Sequence, residues 1–374
     1  MSVALRELTT LRTGAAPREM REAHTADELV AEVRRAAASG DEWFVIGGGS
    51  NLFVGDESFD GTVIRVLNEG IEELPSPHDG RVRLRVQAGH NWDALVAYAV
   101  ERGYAGIEAM SGIPGTVGAA PVQNVGAYGQ EIQETLVEVE LIDEDADAPV
   151  VVPAAELGLG FRTSALKHHH GSVPARRAVI ISVTLDLAIT EDQGRIVRGE
   201  QLRRALGLDS FDPVPLSWIR DKVLDVRAAK GMLLNPDDPD TASAGSFFQN
   251  AIIPERVARE LPPECPRWPV TPDLDAVTVI PLSGFTGAVP PLADATPEVK
   301  VSAAWLIENA GIRKGFSLPQ SRAGVSTKHA LALTNRGNAT ASEIAELARF
   351  IQSRVHSEFG LLLQPEPVLV GVEL

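Results

Sequence analysis

A run of small, uncharged residues from Ser111 to Gln130 has the clearest chemical potential in the chain. It reads SGIPGTVGAAPVQNVGAYGQ and contains five glycines and two prolines without one formal charge. Glycine lets a ligand approach the main chain and proline stiffens it, so the run predicts a rigid loop that presents backbone N–H groups. Such a loop suits a diphosphate or a polar ring. A tightly packed turn between two elements is the alternative interpretation.

A second glycine run, Gly47-Gly48-Gly49-Ser50-Asn51, follows the apolar stretch 43–46. Two loops suited to anion binding therefore share one chain. Neither loop matches the GxGxxG dinucleotide fingerprint, and the sequence contains no GxxxxGK[ST] motif. A Rossmann or P-loop nucleotide site is therefore disfavoured.

Three residues outside the loops could take part in a reaction. Arg162 lies among small and apolar residues, where a guanidinium needs an anionic partner. Ser246 stands beside two phenylalanines and lacks the GxSxG elbow of serine hydrolases, so it suits a shielded proton donor better than a nucleophile. Glu366 lies between two prolines in an apolar segment, where an unpaired carboxylate is costly to bury. An exposed arginine, a turn serine and a surface bend are the structural alternatives.

Composition limits the kinds of partner. The 374 residues carry a formal net charge of −17 at pH 7, so the long-range field repels nucleic acid and anionic membranes. The single cysteine, Cys265, excludes internal disulfides. His168, His169 and His170 are adjacent and lack the i, i+4 spacing of a preformed site, so no metal is expected. Neither a membrane span nor a signal peptide is apparent, and a cytoplasmic protein is expected.

Helices and strands must position these residues. Periodicity and capping residues predict helices at 25–40, 91–103, 296–310 and 340–359, and strands at 42–46, 63–66, 81–87, 137–141 and 179–187. This uneven mixture predicts an α+β fold rather than a TIM barrel. The proline-rich stretch 261–297 predicts a surface loop that could act as a lid.

Several motifs, in a fixed order, make a family resemblance specific. The chain resembles the UDP-N-acetylenolpyruvoylglucosamine reductase (MurB) family in VIGGGSNLF at 45–53 and in the long glycine run with the glutamate that follows it. Further matches are LTTLRTG at 8–14, GFRTS at 160–164, AGSFFQN at 244–250, STKHALALTNRG at 326–337 and QPEP at 364–367. The resemblance spans nearly the whole chain.

The resemblance implies a fold and an activity. The fold is the two-sub-domain FAD-binding fold shared with vanillyl-alcohol oxidase, followed by a C-terminal α+β substrate-binding domain. The implied units are flavin sub-domains at 1–70 and 71–219 and a substrate-binding domain at 220–360, with a C-terminal strand at 361–374 returning to the first unit. The implied activity is reduction of UDP-N-acetylglucosamine enolpyruvate to UDP-N-acetylmuramate with FAD as cofactor and NADPH as hydride donor, by a monomer.

The same resemblance assigns roles to residues. Arg162 and Glu366 would polarise the enol intermediate, Ser246 would donate a proton, and Lys230 and Asn250 would contact the substrate. The residues expected to hold FAD are Gly47, Gly48, Gly49, Ser50, Asn51, Ser111, Gly112, Ile113, Pro114, Gly115, Gly118, Gln123, Asn124, Gly126, Ala127 and Tyr128.

One departure from the family concerns a loop that closes over the substrate. Some members carry a Tyr-Gly-acidic-Leu motif there, whereas this sequence reads Val-Arg-Gly-Glu-Gln-Leu at 197–202, and all of its tyrosines lie earlier. Arg198 is expected to bind the diphosphate in place of the tyrosine, because a guanidinium can bind phosphate oxygens bidentately. A solvated arginine on a connector is the alternative.

Two other functions fit part of the pattern. A sugar or aldonolactone oxidase on the same flavin fold would need no serine acid and no nucleotide pocket. A protein that binds flavin or a UDP-sugar without catalysis would need no Ser246.

Overall fold

A computed structural model describes residues 3–167, 176–190, 194–197, 199–270 and 297–374. The expectations for His168, His169, His170 and Arg198, and for most of the proline-rich stretch, lie outside the described residues.

The first 70 residues form a small parallel sheet with one helix. Its elements are β1 (Glu19–Ala23), α1 (Ala26–Ser39), β2 (Trp43–Ile46), β3 (Leu52–Val54) and β4 (Thr62–Val66). Strand β4 lies between β1 and β2, parallel to both. The Thr25 side chain accepts the Glu28 N–H at 3.1 Å and begins α1, and Gly40 ends it in the left-handed region at φ 74°. This confirms the helix at 25–40, and β2 leads directly into the loop 47–51.

A larger antiparallel sheet follows. Its elements and neighbours are β5 (Ile71–Pro75), β6 (Arg81–Gln87), α2 (Trp92–Glu101), β7 (Tyr104–Ala105), the hairpin β8 (Gly126–Ala127) and β9 (Gln130–Glu131), β10 (Leu136–Asp143), β11 (Val150–Pro153) and β12 (Ala178–Ile189). The strand order is β11-β10-β12-β6-β5, with β7 on the end of β12. In β6 the alternating Val82, Leu84 and Val86 are buried, as the period of two predicts.

One hydrophobic core joins the two sheets. Leu29 and Val33 of α1 and Ile64 of β4 pack in the same cluster as Leu84 of β6 and Val183 of β12. The long glycine run lies beside this core, because Val117 and Ala120 belong to it. The glycine loop is therefore anchored by the sheets on both sides.

The connector after β12 is helical in part. It contains α3 (Glu200–Leu206) and α4 (Leu216–Ala229), which pack against Ala105 and Ala109 in a core of their own. Helix α4 brings Arg227 and Lys230 to the glycine loop, because a side chain at Gly112 would meet the Arg227 Nε at 3.3 Å.

The C-terminal unit contains a second antiparallel sheet and a long helix. Its elements are β13 (Ala251–Pro254), α5 (Glu255–Ala258), β14 (Arg267–Val270), β15 (Glu298–Val301), α6 (Ala303–Asn309), β16 (Ala323–Val325), β17 (Leu333–Asn335) and α7 (Ala341–Phe359). The helix expected at 296–310 is wrong in its first half, where β15 pairs with β13 and β14. The Ser302 side chain caps α6 by accepting the Trp305 N–H at 3.2 Å, so helix begins only after the strand.

The chain then returns to its beginning. Strand β18 (Val368–Val370) pairs in parallel with β3, and the Val368 N–H donates to the Asn51 carbonyl at 2.9 Å. Leu11 and Phe53 pack in the core of the C-terminal unit with Phe247 and Leu363. The first and last parts of the chain are therefore packed as one body around the loop 47–51.

Candidate active site

The two glycine loops meet in space. A side chain at Gly48 would lie 2.7 Å from the Gly115 Cα, and one at Gly47 would lie 2.2 Å from the Thr116 hydroxyl. No Cβ fits at such distances, so this approach of main chain to main chain requires glycine in the first loop. The loops border a cleft of about 520 Å³, within the usual range for small-molecule sites.

The N-terminal motif LTTLRTG supports the first loop. The Thr10 N–H donates to the Gly49 carbonyl at 3.1 Å, and the Thr10 hydroxyl donates to the Ser243 carbonyl at 2.7 Å. Gly49 has φ 58°, and a Cβ there would lie 2.0 Å from the Leu8 carbonyl oxygen. The segment therefore links the glycine loop to the strand-like segment that carries Ser246.

Most of the residues expected to hold FAD line this cleft. The cleft residues from that set are Gly47, Gly48, Gly49, Ser50, Asn51, Ile113, Pro114, Gly115, Gly118, Gln123 and Gly126. The walls also contain apolar side chains, among them Trp92, Val122 and Ile180. Uncharged main-chain donors beside an apolar wall fit a flavin dinucleotide, whose diphosphate and ring need these two environments.

Five residues of the expected set lie outside the cleft lining and serve its framework. The Ser111 hydroxyl donates to the Glu108 carbonyl at 2.7 Å, and the Gly112 N–H donates to Asp93 at 2.6 Å. The Asn124 amide donates to Glu131 at 2.8 Å and to the Gly160 carbonyl at 2.9 Å. Ala127 lies in the hairpin β8–β9. Tyr128 is in the left-handed region at φ 53° and packs with the core of α3 and α4.

Arg162 and Glu366 form an ion pair inside the cleft. The Arg162 Nε lies 3.1 Å from the Glu366 Oε1, and only 20% and 14% of the two side chains are exposed. Arg162 also donates to the Gly126 carbonyl at 2.9 Å, which ties it to the second glycine loop. Its backbone lies at φ 57°, an uncommon conformation for a non-glycine residue. The sequence motifs GFRTS and QPEP thus meet as one charged pair.

Burial raises the pKa of the Glu366 carboxyl, while Arg162 and Lys167 oppose that rise. Lys167 is 6% exposed, and its ammonium donates to the Glu366 carbonyl at 2.9 Å and to the Gln123 amide oxygen at 3.2 Å. Burial lowers the pKa of Lys167 to about 8, with Glu366 opposing the change and Arg162 adding to it. Arg162 therefore pairs with the Glu366 carboxyl group, and Lys167 bonds to the main-chain carbonyl of the same residue.

Ser246 lies on the same cleft. Gly245 precedes it at φ 74°, and the buried Phe247 and Phe248 follow, with ring centroids 5.1 Å apart. The Glu366 N–H donates to the Phe247 carbonyl at 2.8 Å, so Ser246 and Glu366 are held on neighbouring segments. Ser246 thus lines the cleft, and the two residues that follow it in sequence are buried.

A group of basic side chains lies beside the second glycine loop. Lys230, at the end of α4, has its Nζ 5.4 Å from the Tyr128 ring centroid. Burial, Arg227 and Lys314 lower the pKa of Lys230. Arg227 is 7% exposed, lines the cleft and has an Nε without a hydrogen-bond partner among the described residues. Burial and then Lys230, Lys314 and Arg227 lower the pKa of His329 to about 4.

Asn250 is placed differently. Its Oδ1 accepts the Ala303 N–H at 3.0 Å and so holds the first turn of α6. Asn250 does not line the cleft that holds Arg162 and Glu366. Arg198 lies outside the described residues.

The sequence interpretation missed Lys167, Arg227, Lys314 and His329 as site residues. Lys167 follows Arg162 in the same small-residue segment, and His329 lies in the STKHALALTNRG motif, but neither position reveals burial or charge by itself. Asn51 and Gln123, by contrast, were expected and are in contact, with the Asn51 amide donating to Gln123 at 2.7 Å.

Two negative findings concern the described residues. None of them form a group of three or more histidine, cysteine or acidic side chains that could hold a metal ion. No helix in the described ranges is long and apolar enough to cross a membrane.

Glycine loops that meet over a cleft, between a parallel and an antiparallel sheet, define an FAD-binding protein. Residues 17–148 match the family described as an FAD binding domain. Residues 237–370 match the C-terminal domain of UDP-N-acetylenolpyruvoylglucosamine reductase.

Comparisons over the full length agree. The chain is 49% identical over 380 residues to a UDP-N-acetylenolpyruvoylglucosamine reductase of Leifsonia xyli, covering 99% of each protein. It is 44% identical to one of Thermobifida fusca, covering 100% of this chain and 98% of the relative. A crystal structure of the reductase MurB from Thermus caldophilus is similar, with TM-score 0.58 and 25% identity over 98% of this chain and 97% of that one. The chain belongs to the UDP-N-acetylenolpyruvoylglucosamine reductase family, and it is an FAD-dependent enzyme with the α+β fold expected from the sequence.

Proposed function

We propose that the chain reduces the enolpyruvyl double bond of UDP-N-acetylglucosamine enolpyruvate to give UDP-N-acetylmuramate, a peptidoglycan precursor, with NADPH as reductant. The observation that carries this proposal is the meeting of Arg162, Glu366 and Ser246 on the cleft that the glycine loops border. When bound, FAD supplies the hydride chemistry. The loops 47–51 and 111–126 would hold it through main-chain N–H groups.

Reduction of the enolpyruvyl group places negative charge next to a carboxylate. Arg162 would stabilise this charge, because its guanidinium is fixed by Glu366 and the Gly126 carbonyl and needs little reorganisation. Glu366 would orient Arg162 and the enol oxygen. Ser246 would give its proton to the carbon next to the carboxylate, from a position at the cleft surface shielded by Phe247 and Phe248.

The basic group beside the second loop supports an anionic substrate. The chain has a net charge of −17, yet Arg227, Lys230 and Lys314 act on the same imidazole of His329. Such a concentration of positive charge in an acidic protein suits a diphosphate. Lys230, Asn250 and Arg198 stay predictions as substrate contacts.

Location and assembly are part of the proposal. Arg162, Ser246 and Glu366 all come from one chain, which supports a monomer as the working unit. UDP-sugars and NADPH are intracellular metabolites, which supports a cytoplasmic enzyme. Light scattering after gel filtration measures the molar mass in solution and so tests the monomer.

An absorbance experiment tests the activity and separates the alternatives. The purified protein, reconstituted with FAD, is treated with NADPH under nitrogen and then with the enolpyruvyl UDP-sugar. We expect the flavin band near 450 nm to bleach with NADPH and to return with the UDP-sugar. An oxidase would be bleached by a sugar and restored by oxygen, and a binding protein would not be bleached by NADPH at all.

A further inference from the structure

We propose that Lys167 is a positioning residue for the reduction: its ammonium group fixes the main chain of Glu366 to the glycine loops and, together with Arg162, opposes the protonation that burial favours at the Glu366 carboxyl. This inference rests on the proposed function, because it assigns Lys167 a part in the same site.

The Lys167 ammonium joins segments that are distant in sequence. It donates to the Glu366 carbonyl at 2.9 Å and to the Gln123 Oε1 at 3.2 Å. The same Gln123 oxygen accepts from the Asn51 amide at 2.7 Å, and that amide lies 3.4 Å from the Glu366 carbonyl. Both glycine loops and the C-terminal segment are therefore tied at one point. Among the contacts of the described residues, loss of the ammonium would leave the Glu366 carbonyl with the longer Asn51 contact.

A lysine in this position is costly unless it serves the site. It is 6% exposed, and its two hydrogen-bond acceptors, a carbonyl and an amide oxygen, are neutral. Burial of an ammonium without a directly bonded carboxylate is unfavourable, and a neutral glutamine or methionine would fill the space at lower cost. The positive charge of Lys167, rather than the volume of its side chain, therefore has to be explained.

The positive charge of Lys167 affects the protonation of the Glu366 carboxyl group. Burial alone would favour the protonated carboxyl, and Arg162 and Lys167 are the two cations that oppose it. The Arg162 guanidinium also has other contacts: it donates to the Gly126 carbonyl and lies 5.5 Å from the Phe161 ring centroid. Lys167 adds a positive charge on the main-chain side of Glu366. Arg162 and Lys167 thus place two cationic groups beside one acidic group, which suits the carboxylate of an incoming substrate.

Titration of Lys167 gives the proposal a distinct signature. Glu366 and Arg162 are the charged groups that act on it, and its pKa of about 8 lies within the range where the enzyme can be assayed. The Lys300 ammonium lies 4.2 Å from the Phe161 ring centroid, and burial lowers its pKa, with Arg162 adding to that change and Glu131 opposing it. As the pH rises through about 8, Lys167 loses its proton, the tie to Glu366 weakens and one of the two cations disappears.

The test compares Lys167→Met, Lys167→Gln and Lys167→Arg with the wild-type holoenzyme. The control is Lys222→Met, which removes a surface lysine paired with Asp225 on α4. The kcat/KM for the UDP-sugar is measured from pH 6 to pH 10, together with flavin content and thermal unfolding. Because a small misplacement of a reacting group can cost about 100-fold, we expect Lys167→Met and Lys167→Gln to lose about 10- to 100-fold at pH 7, mainly in kcat.

The pH profiles decide between a positioning and a structural role. We expect the wild type to lose activity as the pH rises through about 8, and Lys167→Arg to lack this loss because arginine stays charged. In Lys167→Met the loss near pH 8 should vanish and the acid limb should move to higher pH, because Glu366 is then protonated more easily. The rates are expressed per bound flavin, so that a loss of cofactor is separated from a loss of positioning.

Unchanged profiles in Lys167→Met and Lys167→Gln, or losses that follow the melting temperature alone, would overturn the proposal. The pH dependence of unfolding gives a readout without turnover. A lysine with a lowered pKa makes the wild type gain stability relative to Lys167→Met as the pH rises from about 8 to 10.5, because the unfolded chain then binds more protons. A wild type without activity towards the UDP-sugar would contradict the proposed function instead, and this unfolding difference would still test the burial of the charge.

Discussion

Arg162 and Glu366 form an ion pair in the cleft, and further hydrogen bonds hold each of them in place. The Arg162 guanidinium has fixed partners in Glu366 and the Gly126 carbonyl. The Glu366 backbone is fixed by Phe247 and Lys167. Both side chains are therefore oriented before a substrate arrives, which is the arrangement that lowers the cost of stabilising charge in a transition state.

Removal of the Ser246 hydroxyl should separate the two half-reactions. We expect Ser246→Ala to be reduced by NADPH at nearly the wild-type rate and to pass electrons to the UDP-sugar about 10²- to 10⁴-fold more slowly, because the proton donor is absent. Stopped-flow absorbance at 450 nm measures both steps. Ser246→Cys, which keeps an acidic proton, should recover part of the second rate. Equal slowing of both steps would mean that the serine has a structural role.

Replacement of His329 should change stability in acid. Burial and the nearby cations lower its pKa from 6.5 to about 4, so the folded protein resists protonation there and the unfolded chain does not. Stability is therefore lost as the pH falls from 6.5 towards 4. This residue should cost the wild type at most roughly 3 kcal/mol in the free energy of unfolding over that interval, and we expect His329→Gln not to show this decrease. Urea unfolding of both proteins at pH 7 and pH 4.5 gives the difference, and equal pH dependence would contradict a neutral His329.

Residues differ in how far the sequence reveals them. Ser246, Arg162 and Glu366 could be singled out as polar groups in apolar motifs, but structural alternatives stayed open for each of them until the family resemblance implied their roles. Lys167 and His329 could not be recognised in this way, since their significance comes from burial and from cations that are remote in sequence. The number of charges around a side chain is a property of the folded chain.

At the scale of elements, the two glycine loops act as one surface because their main chains touch. Gly48 is the contact point, and its Cβ would meet the Cα, C and N atoms of Gly115. Those atoms belong to main chain and cannot move aside as a flexible side chain can. The close approach of the two loops therefore depends on the absence of a side chain at Gly48.

Substitution of Gly48 should weaken FAD binding. Forcing a methyl group into such a contact typically costs about 1–3 kcal/mol, so we expect Gly48→Ala to bind FAD about 5- to 150-fold more weakly. Gly40→Ala is the control, because nothing lies within 4 Å of its Cβ and only the φ of 74° is strained. That variant should lose about 1–2 kcal/mol of stability and keep its FAD affinity. Flavin fluorescence titration and urea unfolding measure the two quantities, and equal FAD affinity in both variants would contradict the contact.

Local pattern predicted some elements correctly and one incorrectly. The helices at 25–40 and 340–359 have a capping threonine and a closing glycine, and both are confirmed. The stretch 298–301 also looks helical from its sequence, but it lies between two strands that reach it from 251–254 and 267–270. Strand pairing across such distances overrides local propensity, and no local signal records it.

At the scale of the whole molecule, the C-terminal segment closes the structure. Strand β18 pairs with β3 directly after the first glycine loop, and Leu11 and Phe53 pack in the C-terminal core. The family resemblance implied a strand that returns to the first unit, whereas periodicity alone could not have identified its partner. The side chains of α1 and β12 also share one cluster, so the units expected at 1–70 and 71–219 have a common core.

Breaking the pairing of β18 should affect the flavin site more than the rest. Val368→Pro removes the N–H that donates to Asn51 at 2.9 Å, whereas Val368→Thr keeps both that donor and the branched side chain. We expect the proline variant to lose at least about 1 kcal/mol of stability and to release FAD more readily, and the threonine variant to resemble the wild type. Differential scanning fluorimetry with and without added FAD measures both effects. Equal FAD release from the two variants would mean that β18 does not support the loop.

The contact between Asn51 and Glu366 joins residues 315 positions apart. A ribosome delivers the glycine loops and their sheets long before it delivers this glutamate, and N-terminal units begin to fold first during synthesis. The growing chain therefore passes through a stage in which the glycine loops have been synthesised but Glu366, the ion-pair partner of Arg162, has not. Under the proposed function, an incompletely translated chain that ends before Glu366 and still binds flavin would lack the carboxyl group that orients Arg162.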